Sequence, residues 1–224
     1  MKLSISLTHR ETVLGWWYLL FSTLVLSSII GIFVSFLDFS LTEVNILFFC
    51  MNFLCVIAIF HRFLWESLQA AWKKRWKCLL LVAQGFIIYF AATWVISLII
   101  PWIDHTFSTN VNDAAILDLA KEHTGLFTFC IVFLVPVAEE TLYRGLVFQK
   151  LYKKDQLLAY GLSTLLFAMI HVVDFIGDIS WRTLLCCLLQ YLPAGIVLAG
   201  VYESSGTIIT SMLLHILINS IGMR

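Results

Sequence analysis

Apolar runs of about 20 residues, the length that crosses a bilayer as a helix, recur along the whole chain at 14–37, 44–64, 78–100, 124–149, 156–173, 182–202 and 205–222. Lipid offers no partner to a backbone N–H or C=O, so only helices and closed barrels cross it. Barrel strands need only about 9–11 residues, and runs this long and continuous are helical. The expected fold is therefore all-α, a polytopic transmembrane helix bundle of about seven spans, with six to eight compatible with the boundaries. Composition points the same way: 61% of residues are hydrophobic and 12% charged, roughly half the charged share of a soluble domain. Formal net charge is zero, so no basic surface suggests a nucleic-acid partner.

The first run follows Lys2 and Arg10 and is too long for a signal-peptide core, which makes it a retained span. Six cysteines (Cys50, Cys55, Cys78, Cys130, Cys186, Cys187) lie within or beside apolar runs without CxxC spacing. They read as small apolar fillers, not as a disulfide framework or a thiolate metal site. Lys and Arg set the expected orientation. With the N-terminus cytoplasmic, the inner segments hold Arg62, Lys73–Lys77 and Lys150–Lys154, whereas the outer ones hold only Lys121, Arg182 and Arg224. The segment FLWESLQAAWKKRWK (63–77) alternates Trp and Leu with basic residues. It suits either a surface helix on anionic membrane lipid or a plain helix extension.

Ionisable groups inside apolar spans cost roughly 2.5–3.5 kcal/mol each even on the lenient insertion scale, so each marks a candidate site. They are few: Glu139, Glu140 and Arg144 in the fourth run, His171 near the end of the fifth, and His215 with Asn219 in the seventh. Glu140 and Arg144 are spaced i,i+4 and share a helix face, as an internal ion pair would. Glu139 is turned by about 100° and is free for another neighbour. His215 and Asn219 are also i,i+4, and Ser211 and Thr207 extend their stripe. Counted from the turn near Lys153–Gln156, Glu139 and His171 both fall roughly 21–23 Å deep. His215 and Asn219 fall roughly 13–20 Å from the Gly206 turn. The three runs can thus bring their polar groups into one layer. Pro136 removes a helix hydrogen bond just before the glutamates and predicts a kink there.

Three chemistries fit such a cluster. Two Glu and two His can hold a divalent metal assembled from separate helices, although no HExxH spacing is present. Alternatively, a carboxylate acts as general base on a water that attacks a carbonyl, with His and Asn as oxyanion donors. The third is a structural ion-pair network or proton path without catalysis.

The pattern has a resemblance. EETLYRG (139–145) reads EExxxRG, Phe167 to His171 reads FxxxH, and His215 to Asn219 reads HxxxN, in this order on separate runs. With the lead-in AGIVLAGVYESSGTIITSMLLH (194–215), residues 124–222 resemble the CPBP family, which unites type II CAAX prenyl proteases with bacteriocin-processing and self-immunity (Abi) proteins. The resemblance implies an intramembrane glutamic endopeptidase in the bacterial plasma membrane. Carried over by position, Glu139 and His171 hold and activate the water, His215 and Asn219 form the oxyanion hole, and Glu140 and Arg144 support the site. It implies no cofactor, with a divalent metal kept as the alternative. The implied partners are a peptide or membrane-protein substrate, membrane lipid, and a partner membrane protein. Residues 1–123 carry no assignable motif and 124–224 form the motif-bearing core, all within one integral membrane domain. The competing reading from a different class is a non-catalytic immunity or scaffold protein that binds a peptide.

Overall fold

The computed structural model describes residues 3, 5–34, 36 and 38–223; Lys2 and Arg224, counted above among the flanking charges, lie outside them. Helix α1 (His9–Phe21) begins at a capping box in which Thr8 and Glu11 exchange side-chain and backbone bonds. It continues through a π turn (Ser22–Leu26) into α2 (Ser27–Val34). A second capping box, Ser40 with Glu43, opens α3 (Leu41–Lys73), and α4 (Arg75–Ile103) follows after a break at Lys74. The short α5 (Val111–Leu119) precedes one continuous helical run: α6 (Thr124–Phe129), a π segment (Cys130–Leu134), α7 (Val135–Glu139), a second π segment (Glu140–Phe148) and α8 (Gln149–Tyr152). Then come α9 (Gln156–Ile170), α10 (Trp181–Ser205) and α11 (Ile208–Gly222).

Among the described residues, five stretches are long and apolar enough to cross a membrane: His9–Ile32, Leu41–Lys73, Arg75–Ile103, Gly125–Tyr152 and Trp181–Ser205. The fifth and seventh expected spans exist as α9 and α11, but each is only 15 residues long. At about 1.5 Å per residue that is some way short of the ~30 Å hydrocarbon core. Their ends explain the difference. At His171 the helix stops and the chain turns through a single 3₁₀ turn, Val173–Phe175. Between α10 and α11, Gly206 takes φ +74° and Thr207 caps the new helix, which delays its start to Ile208. Both short helices pack against longer ones. In particular α11 packs on α3, α4, α10 and the π segment Glu140–Phe148.

Helices in lipid gain little from the hydrophobic effect and rely on close packing through small residues. Gly195 shows this where α10 meets α9. A Cβ there would lie 2.5 Å from Thr164 Cγ2 and 3.1 Å from the Thr164 Cα. The neighbour is partly backbone and cannot rotate away. Gly195→Ala is therefore expected to destabilise the protein by about 1–3 kcal/mol, as overpacking does. A lowered thermal-unfolding midpoint in detergent checks this, and an unchanged midpoint refutes it.

The N-terminal segment is fastened into the bundle by two buried polar residues. Gln149 accepts from Leu7 N–H (3.2 Å) and donates to Ile5 C=O (2.8 Å) and to the Tyr202 hydroxyl (2.8 Å). Glu11 accepts from the amide of Phe63 (2.9 Å) and from Arg62 (3.1 Å). That amide lies just beyond Phe60, whose φ −106°, ψ 15° breaks the helical path of α3. Beyond this kink the Trp-rich segment is helical to Lys73 and resumes at Arg75. Trp65, Trp72 and Trp76 are exposed, and the Arg75 guanidinium lies over the rings of Trp72 (5.7 Å) and Trp76 (5.9 Å).

Candidate active site

The acidic motif sits on backbone that is not α-helical throughout. At Val135 the ladder already steps from i+4 to i+5, Val135 N–H bonding to the Cys130 carbonyl. This widened turn meets the proline that follows, which has no N–H to give. The kink expected at Pro136 is thus taken up by π turns on either side of α7. All nine residues from Glu140 to Phe148 are buried.

Glu140 and Arg144 are fully buried and paired, Arg144 Nη1 donating to Glu140 Oε1 at 3.0 Å. Glu140 is otherwise fully engaged: its Oε2 accepts from Ser211 Oγ, and its Oε1 also accepts from His215 Nδ1 at 3.0 Å. Arg144 also donates from Nη2 to the Gly195 carbonyl (3.2 Å) and lays its guanidinium 4.2 Å from the centre of the Phe167 ring. Hydrogen bonds to both carboxylate oxygens and both terminal guanidinium nitrogens, with a cation–π contact, compensate the buried pair, and only Arg144 Nε is left without a partner among the described residues.

Glu139 is different. Its Oε2 is buried and has no hydrogen-bond partner among the described residues. The nearest ionisable contact is His215 Nε2, at 3.9 Å. One imidazole thus spans both glutamates, with Nδ1 on Glu140 and Nε2 facing Glu139.

His171 ends α9, where its Nδ1 donates to the Phe167 carbonyl at 2.7 Å. A proton held on Nδ1 leaves Nε2 as the acceptor in the neutral ring. Phe167 joins the two histidines, its ring centroid 4.8 Å from that of His171 and 5.7 Å from that of His215. His171 and Glu139 share no hydrogen bond. Asn219, one turn beyond His215, donates to the Ile131 carbonyl in the first π segment (2.9 Å). The structure thus brings Glu139, Glu140, Arg144, Ser211 and His215 into direct contact and ties His171 to them through Phe167.

Residues 121–221 match the family described as type II CAAX prenyl endopeptidase Rce1-like. Those residues are similar to the CAAX proteases. The match covers the CAAX-protease segment alone, and every residue of the cluster lies inside it. No curated protein and no solved structure matches the chain. With long apolar helices around a CAAX-protease segment, the chain is an integral membrane protein.

Three participants escape the motif reading. Ser211 showed only as part of a polar stripe, and Phe167 only as a motif letter. Tyr191, whose ring stacks on His171 with centroids 4.2 Å apart and planes at 27°, gave no signal. A tyrosine in an apolar helix is too common to stand out.

Proposed function

We propose that the protein is an intramembrane endopeptidase in which Glu139 is the general base toward a water that attacks the scissile carbonyl. The carrying observation is the contrast between the two adjacent carboxylates. Glu140 has every oxygen engaged by Arg144, Ser211 and His215, whereas Glu139 keeps a buried oxygen without a hydrogen bond. Only the second is available to take a proton. In this reading His171 uses its free Nε2 to hold the same water, its Nδ1 being committed to the Phe167 carbonyl. His215 donates through Nε2 to the developing oxyanion, and Asn219 adds the second donor.

The reading calls for no metal. Among the described residues no group of three His, Cys, Asp or Glu side chains is arranged to hold one. Purified protein in lipid vesicles is expected to cleave a quenched fluorescent peptide with a prenylated C-terminus, and to keep its rate after exhaustive chelation. Loss of activity on chelation with recovery on adding a divalent ion would overturn the metal-free reading. Absence of cleavage alongside normal peptide binding would favour the scaffold role. The placement in a bacterial plasma membrane, N-terminus inside, and a part in bacteriocin processing or self-immunity belong to the same proposal; the Lys and Arg asymmetry supports the orientation.

A further inference from the structure

We propose that Tyr191 is a positioning residue for His171, and that α5 holds Tyr191 in place for that purpose. This rests on the proteolytic reading of His171 but is carried by separate observations. Among the described residues the His171 imidazole has one hydrogen bond, from Nδ1 to the Phe167 carbonyl one turn back. A single bond at Nδ1 fixes the tautomer but leaves the ring free to swing about the bond axis, and with it the direction of Nε2. Two aromatic contacts remove that freedom. Phe167 meets the ring at 56°, and Tyr191 stacks nearly parallel at 4.2 Å.

Tyr191 is itself fixed at its hydroxyl, which donates to Asp113 Oδ1 (2.6 Å) and accepts from Asn112 Nδ2 (2.9 Å). Both partners lie in the first turn of α5. The helix has no buried residue of its own, and only its far end, at Ile116 and Leu119, packs on an apolar cluster. Its first turn is secured by polar bonds to α10: three at the Tyr191 hydroxyl, counting a longer one to Asn110 Oδ1 (3.4 Å), and Asn110 Nδ2 donating to Gln190 Oε1 (2.9 Å). Just before it, Asp104 Oδ2 accepts from Thr183 Oγ1 (2.9 Å), further along α10 toward its start. A segment stitched to α10 by hydrogen bonds and scarcely by packing gains its order from those bonds. Three of them end on the hydroxyl of the side chain that stacks on His171. The ring supplies the supporting surface and the hydroxyl sets its rotation.

Two measurements test this, one independent of activity. With histidines labelled at Cε1, the His171 resonance is identified by its loss in His171→Gln. In the wild type it is expected to show the upfield ring-current shift of a stacked proton. Tyr191→Phe keeps the ring but frees it from α5 and is expected to retain a reduced, broadened shift, whereas Tyr191→Leu loses it. In the cleavage assay Tyr191→Leu is expected to lower kcat by about 10–100-fold, the cost of small misplacement of a reacting group, with KM within about twofold; Tyr191→Phe recovers only part of the rate. An unmoved His171 resonance in Tyr191→Leu overturns the proposal, as does an unchanged kcat in an active protein or a loss confined to KM. Should Tyr191→Leu fail to fold, the exposed Asp113→Ala decides: it removes an acceptor of the Tyr191 hydroxyl and is expected to shift or broaden the His171 resonance, and an unaltered signal overturns the proposal. A wild type that cleaves nothing while the resonances respond as stated refutes the proteolytic reading and leaves the positioning role standing.

Discussion

Glu139→Gln is expected to abolish peptide-bond hydrolysis, lowering kcat by about 10²–10⁴-fold, the usual contribution of a positioned acid–base group, while leaving the fold intact. The amide has the shape of the carboxyl group but cannot accept a proton from water. The substitution breaks no hydrogen bond at Glu139 Oε2, because that buried atom has none among the described residues. Thermal stability should therefore stay the same or rise slightly. The pairing of lost rate with kept stability is the decisive feature. Glu140→Gln would also lose activity, but with a falling unfolding midpoint, since Arg144 and His215 both depend on that carboxylate. Vesicle-reconstituted protein, assayed beside a thermal melt, separates the two. Full activity in Glu139→Gln would sink the general-base assignment. A cellular phenotype that survives Glu139→Gln at normal expression would point to the non-catalytic role.

The largest effect on stability is expected from Arg144→Met, at about 3–5 kcal/mol, the cost of stranding one member of a buried ion pair. Arg144 and Glu140 are both fully buried. Removing the guanidinium leaves a carboxylate with only Ser211 and His215 as donors, frees the Gly195 carbonyl and removes the cation from the Phe167 ring. The variant should express poorly or unfold at much lower temperature. The double substitution Glu140→Leu with Arg144→Met tests the cause. Removing both charges should recover most of the stability, because the loss comes from the unpaired charge and not from missing bulk. Activity should not return, since His215 has lost its Nδ1 acceptor. A double variant no more stable than Arg144→Met alone would show that the pair acts through something other than charge.

The sequence made the helices legible because each long apolar run must form one in lipid. It made Glu140–Arg144 legible because i,i+4 neighbours meet on any helix. What stayed hidden depends on partners far apart in the chain or on small changes of pitch. Glu11 looks like an ordinary first-turn acid, and its buried bond to Phe63 reflects a kink 50 residues on. The π segment Glu140–Phe148 is too short for its wider period to show in a hydrophobic pattern. Tyr191 gains meaning only when α9 and α5 arrive on either side of it. The two short spans were drawn too long because Val172 and Val173 continue the apolar run past the cap at His171, and because hydropathy does not show that Ser205 still closes α10 and Thr207 caps α11.

The clasp of Gln149 on residues 5–7 has a consequence for biogenesis. The two ends of that clasp are 142 residues apart in the chain, so at about 5–20 residues per second the ribosome needs roughly 7–28 s to supply the second after the first. Tyr202, which completes the arrangement, emerges later still. The N-terminal helix therefore enters the membrane well before its anchor exists, and seating of Ile5 and Leu7 closes the bundle as a late event. A nascent chain arrested before Gln149 should carry an N-terminus open to protease, and one released at full length should carry a protected N-terminus.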